Sequence, residues 1–153
     1  MDRYRRELLQ TVAACTALAV GGTLPGAVAQ QTAWNKAAFE AKRLADVVKA
    51  LGGSTAVPSK DIVITAPDIA ENGAAVSVGI ASKIPNTQNI YIVVEKNATA
   101  LVAAFNIPPG TEPRVDTRIK MAESAPVYAV VRANNQFFVA SRDVKVTMGG
   151  CGG

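Results

Sequence analysis

The chain has 153 residues, 49% of them hydrophobic, and a formal net charge of +4. That length holds one domain with a sizeable core, and so mild and evenly spread a charge argues against a nucleic-acid partner. There is no histidine, which removes histidine general bases, Ser–His and Cys–His nucleophile pairs, and most zinc or copper sites.

In chain order, residues 1–10 carry Arg3, Arg5 and Arg6, an apolar run follows over residues 11–24, and Pro25-Gly26-Ala27-Val28-Ala29 closes it. Charged, apolar and Ala-x-Ala parts in that order read as an export signal, residues 1–29, cleaved after Ala29. The run is too short to hold as a spanning helix. The adjacent Arg5 and Arg6 make it a candidate twin-arginine signal, although only the two arginines and the leucines of that pattern are kept. An ordinary Sec signal is the alternative, and both routes lead to the periplasm, with no membrane attachment after processing. Cys15 lies inside the signal and reads as a small apolar residue removed with it. That leaves Cys151 as the one thiol of the exported protein, an odd cysteine in an oxidising compartment.

Residues 30–53 read as one helix. Thr32 is placed to cap it, and Trp34, Ala38, Ala41, Leu44, Val48 and Leu51 recur at spacings of three and four. Gly52-Gly53 stops it, and Trp34 is expected to pack it on the rest of the domain. Residues 54–60, with Pro58, read as a linker.

From Asp61 the period becomes two. Ile62 and Ile64 alternate before Ala66-Pro67. Val76, Val78 and Ile80 share a face, as do Ile90, Ile92 and Val94. Val115, Thr117, Ile119 and Met121 oppose Arg114, Asp116, Arg118 and Lys120. Val127, Ala129 and Val131 follow, then residues 137–140 and 144–148. Turn chemistry separates the runs at Glu71-Asn72-Gly73, Ile84-Pro85-Asn86, Ile107-Pro108-Pro109-Gly110 and Asn134-Asn135. The fold class is therefore all-β: an Ig-like antiparallel β-sandwich of about seven strands behind one N-terminal helix, spanning residues 30–148. The disulfide and buried tryptophan of immunoglobulin domains are missing from this pattern. Tyr91, Tyr128, Phe137 and Phe138 read as core or interface packing. Arg114, Arg118 and Lys120 read as a solvated face, and Asp68 and Glu71 as turn residues rather than an acid pair.

The chain ends Gly149-Gly150-Cys151-Gly152-Gly153. Glycine lacks a β-carbon and its backbone enters conformations closed to other residues. This places a single thiol on a narrow, flexible arm, residues 149–153, reaching about 10 Å beyond Met148 at full extension. The glycines supply no charge to lower a thiol pKa from its usual ~8.5, so activation is expected to come from a partner's site.

The tail, with Lys145-Val146-Thr147-Met148 before it, resembles the SoxY family, the sulfur-carrier subunits of the bacterial thiosulfate-oxidising Sox system. So do Ala66-Pro67-Asp68-Ile69-Ala70-Glu71-Asn72-Gly73-Ala74, Val94-Glu95-Lys96-Asn97, Ala103-Ala104-Phe105-Asn106 and Thr117-Arg118-Ile119-Lys120-Met121. Ala98-Thr99 departs from the family pattern, where a proline-containing pair is expected. The resemblance implies a carrier, not an enzyme, with no cofactor beyond sulfur bound covalently to Cys151. Gly149, Gly150, Gly152 and Gly153 would form its swinging arm. It also implies a heterodimer with a SoxZ-like β-sandwich subunit and transient docking to SoxXA-, SoxB- and SoxCD-like enzymes. Two other readings stand beside it: a ubiquitin-like carrier using the Gly153 carboxylate, and a periplasmic Ig-like binding or assembly module with no covalent role.

Overall fold

A computed structural model describes residues 35–149. Two short helices lead, α1 (Lys36–Glu40) and α2 (Leu44–Ala50). Nine strands follow: β1 (Ala56–Pro58), β2 (Ile62–Thr65), β3 (Ile69–Asn72), β4 (Val76–Ser82), β5 (Thr87–Val93), β6 (Leu101–Asn106), β7 (Arg114–Ile119), β8 (Ala125–Ala133) and β9 (Gln136–Met148). The larger sheet runs β1-β9-β8-β5-β6, with β3 also on β9, and the smaller one runs β2-β4-β7.

Two apolar layers hold the fold together. Between the sheets lie Ile62, Ile64, Val76, Val78, Ile80 and Ile119 from the small sheet, facing Ile90, Ile92, Val127, Ala129, Val131 and Val144 from the large one. On the other face of the large sheet, Ala38, Val47 and Val48 of the helices bury Tyr91, Val93, Leu101, Val130 and Phe137. The large sheet is thus a central layer covered on both faces. This is why residues 90–94 are apolar without a break, where a half-buried strand would alternate. Burial raises the Tyr91 hydroxyl pKa above its ordinary value.

The sandwich-like arrangement of two sheets and the alternating inward faces agree with the sequence. Three points of the expected fold class are corrected. First, the single helix is two. Ala41 is extended (φ −62°, ψ 144°) and Arg43 likewise (φ −123°, ψ 150°). Asn35 caps α1 by accepting from the Ala38 N–H at 3.1 Å, and its amide donates to the Ala50 carbonyl at 2.8 Å, tying the start of α1 to the end of α2. The first turn of α2 is capped from outside the helix, by the Glu95 carboxylate accepting from the Leu44 N–H at 2.7 Å. Lys42 donates to the Ala98 carbonyl. These long-range bonds break a periodicity that local spacing carries straight through. Trp34 and Thr32 lie outside the described residues.

Second, the sheets are not wholly antiparallel. Both β1 and β3 pair with β9 in parallel. Third, the strands number nine among the described residues. The linker contributes β1, the Glu71-Asn72 turn lies largely within β3, and β6 shows no clean alternation. Meanwhile residues 137–140 and 144–148 fuse into the single strand β9. The hairpin joining β8 to β9 behaves as read: Asn134 and Asn135 have φ of 49° and 60°, both left-handed, as a two-residue turn between twisted strands requires.

Candidate functional site: the root of the C-terminal arm

Cys151, Gly150, Gly152 and Gly153 lie outside the described residues, as do Arg5 and Arg6. What the structure places is the point from which the tail departs. β8 pairs with β9 from Ala133↔Gln136 to Ala125↔Val144. Residues 145–148 run beyond it, with β3 on their other edge in the register Ile69↔Lys145, Ala70↔Val146 and Asn72↔Met148.

Several bonds hold this extension. On the β3 side, the Lys145 N–H donates to the Asp68 carbonyl at 2.9 Å, and the Gly73 N–H to the Met148 carbonyl at 2.7 Å. The Thr147 hydroxyl donates to the Glu71 carbonyl at 3.0 Å. On the side that β8 has vacated stands Ser124. Its Oγ accepts from the Val146 N–H at 2.8 Å and donates to the Val146 carbonyl at 3.4 Å. Gly149 comes so close to residue 122 that a β-carbon there would run into the Ala122 carbonyl oxygen. Glycine is needed here for close backbone approach. Gly149 is exposed to solvent, with its backbone close to that of Ala122.

The segment that carries Ala122 and Ser124 is itself fastened. Asn97 donates from Nδ2 to the Lys120 carbonyl at 2.7 Å and accepts at Oδ1 from the Ala122 N–H at 2.9 Å. The Met121 N–H donates to the Gly73 carbonyl at 2.7 Å. Asn72 Oδ1 accepts from the Ala74 N–H at 2.8 Å, closing the turn that presents Gly73 to both strands. Met148 is 66% exposed and Ile69 60% exposed, so the root opens onto solvent.

The charged residues near the tail do not gather on it. Arg142 is engaged by Asp68 at 2.9 Å, and the Arg142 Nε is buried without a partner. Arg114 pairs with Asp116 at 2.9 Å on β7, which holds the Asp116 carboxyl below its ordinary pKa. Asp68 and Glu71 are not brought together as an acid pair, since Asp68 meets Arg142 and Glu71 offers its backbone carbonyl to Thr147. Among the described residues no group of three His, Cys, Asp or Glu side chains is placed to hold a metal ion. No helix among them is long and apolar enough to cross a membrane.

The sequence carries no signal for Ser124 or Ala122, and marks Asn97 only as the end of the family-like stretch Val94-Glu95-Lys96-Asn97. Their contribution is one hydroxyl, one amide and one backbone carbonyl set by tertiary register. Gly149 was visible as a glycine, but the reason for it was not.

The family model for sulfur oxidation protein SoxY matches residues 47–151, from the second helix through Cys151. This chain belongs to the SoxY family. The structure of the sulfur carrier protein SoxY from Chlorobium limicola f thiosulfatophilum is similar at 38% identity, with a TM-score of 0.59, covering 67% of this chain and 96% of that one. A structure of the bacterial superantigen toxic shock syndrome toxin-1 is similar at 12% identity and a TM-score of 0.39, covering 56% of this chain and 98% of that one. At that distance it bears on neither fold nor function. The curated proteins contain no match to the chain. SoxY membership accounts for the two-sheet architecture and for the span of the match, which takes in the strand that bears the tail.

Proposed function

We propose that this protein is a periplasmic sulfur carrier that holds thiosulfate-derived sulfur covalently on Cys151 and presents it to the enzymes of thiosulfate oxidation. The observation that carries the reading is the junction at Gly149. A well-held strand ends at the surface, beside exposed Met148, with the glycine-flanked thiol two residues further on. Several enzymes must reach one sulfur in turn. A buried handle would serve none of them, whereas a narrow arm enters a pocket while the body stays outside.

The thiol and thiosulfate join through a new S–S bond, releasing one proton and two electrons to a SoxXA-like cytochrome. A SoxB-like hydrolase then cleaves the bond between the terminal sulfane sulfur and the sulfonate with water. Sulfate leaves, and the extra sulfur stays on Cys151 as a persulfide. A SoxCD-like enzyme acts on that sulfane atom. The carrier supplies the attachment atom and the arm of Gly149, Gly150, Gly152 and Gly153, a SoxZ-like subunit is its stable partner, and Arg5-Arg6 direct export by the twin-arginine route.

Intact mass spectrometry of the exported protein, taken during growth on thiosulfate, tests the reading. Added sulfur or thiosulfate mass is expected, localised to Cys151 and absent from Cys151→Ser. Unaltered thiosulfate consumption through the Cys151→Ser protein would overturn it. Mass found instead on the Gly153 carboxylate would mean ubiquitin-like chemistry.

A further inference from the structure

The root of the arm contains a device of its own. In an antiparallel pair, residues facing each other in a hydrogen-bonded position exchange an N–H and a C=O. Alternate residues of 136–144 receive such bonds from β8. Past Val144 there is no β8 residue to give them. At Val146 one side chain supplies both, since the Ser124 hydroxyl accepts from the N–H and donates to the C=O of the same residue. Ser124 thus stands in for one residue of the missing strand. It is held there by the Asn97 bridge to residues 120 and 122, and two residues earlier the Ala122 carbonyl leaves no room for a β-carbon on Gly149.

We propose that Ser124 is a positioning residue that fixes where the carrier arm begins, so that the free tether to Cys151 starts at Gly149 and not at the end of the β8 pairing. The proposal rests on the carrier reading above. Without the hydroxyl, the Val146 N–H and C=O have only water on that edge. β3, itself a short edge strand, is then left to hold residues 145–148 alone. The tether to Cys151 would lengthen from three residues, counted from Met148, to seven, counted from Val144. Effective concentration falls roughly as the −3/2 power of tether length, so the sulfur would be presented roughly three- to fourfold less effectively. The intrinsic reactivity of the thiol would not change, because the substitution removes no charged group.

The test uses the full exported chain with its partner subunit, comparing wild type with Ser124→Ala, Ser124→Thr and Cys151→Ser. Amide hydrogen exchange reads the root directly. In Ser124→Ala, protection at Val146, whose N–H donates to the Ser124 hydroxyl, is expected to fall tenfold or more, with the residues paired to β8 unchanged. Thiosulfate conjugation by a SoxXA-like cytochrome is expected to show KM for the carrier raised three- to fourfold with kcat unchanged, and both effects reversed in Ser124→Thr, which keeps a hydroxyl. Alkylation of Cys151 by a small reagent should proceed at the wild-type rate. Unchanged protection at Val146, or an unchanged KM despite lost protection, overturns the proposal. The carrier reading fails separately, if Cys151→Ser is conjugated as well as wild type; the exchange measurement still reports on the root in that case.

Discussion

Residues 136–144 and 145–148 belong to one strand, and the chain builds them in different ways. The first part lies between β8 and β1. It begins at a hairpin whose two asparagines take left-handed conformations, and it buries Phe137 and Val144 on opposite faces. The second part has β3 on one edge and a single serine on the other, and its side chains are mostly exposed. The first is fixed by burial, which is large and cooperative. The second is fixed by a few hydrogen bonds near water, each worth only about 0.5–1.5 kcal/mol net. A carrier gains from this division: the body can be stable while the root is tuned separately.

The largest effect should come from breaking the first part. Phe137 is 4% exposed and lies against the helices, so Phe137→Ala is expected to cost about 3–5 kcal/mol through lost burial and the cavity left behind. Urea unfolding measures it. If the halves are independent, the surviving folded molecules keep wild-type exchange protection at Val146.

Gly149→Ala attacks the second part. The new β-carbon would meet the Ala122 carbonyl, a backbone atom that cannot step aside alone. Overpacking of that kind costs about 1–3 kcal/mol where the structure must absorb it. Here the root can swing away instead, so the urea midpoint should move by less than that range while protection at Gly73, whose N–H donates to the Met148 carbonyl, collapses. A midpoint shift as large as that of Phe137→Ala would show that the strand is one cooperative unit.

How far the two parts were legible in the sequence follows the same division. Alternation at Val127, Ala129 and Val131 and the Asn134-Asn135 turn announce β8, the hairpin and the start of β9, because burial writes a period into the chain. The tail announces its thiol by composition. Between them the signal fails. β3 has one buried residue, Ala70, so it shows no period, and the turn residues Asn72-Gly73 hide it further. The helical period likewise runs through Ala41-Lys42-Arg43 because no glycine or proline marks the break. That break is imposed by Glu95 and by the carbonyl of Ala98, more than fifty residues away. Ala98-Thr99, where the family pattern is not followed, sits in this same loop, which here fastens α2 with Glu95 and the segment behind the root with Asn97.

That loop sharpens the comparison, since neighbouring residues serve different ends. Glu95→Ala removes the acceptor at the start of α2 and is expected to cost about 0.5–2 kcal/mol of global stability, as loss of a helix cap does, with the root unchanged. Asn97→Ala removes two bonds to residues 120 and 122. It should lower protection at Val146 with a smaller change in the urea midpoint. Equal behaviour of the two variants by both measurements would deny that the loop serves two separate regions.

The smallest effect is expected where an inspection of contacts suggests a large one. The Arg142–Asp68 pair at 2.9 Å spans the boundary between the two parts of β9 and looks like the bolt that holds the root. The Asp68 side chain is 86% exposed and that of Arg142 40%, and ion pairs so placed contribute about 0–1 kcal/mol, screened further by salt. The bond that matters for the root is a different one, from the Lys145 N–H to the Asp68 backbone carbonyl, and Asp68→Asn leaves that carbonyl in place. The variant should therefore unfold within about 1 kcal/mol of wild type, lose what little salt dependence the pair gives, and keep full protection at Lys145 and Val146. If protection at Val146 fell in Asp68→Asn as it does in Ser124→Ala, side-chain electrostatics rather than strand-like bonding would be what holds the base of the arm.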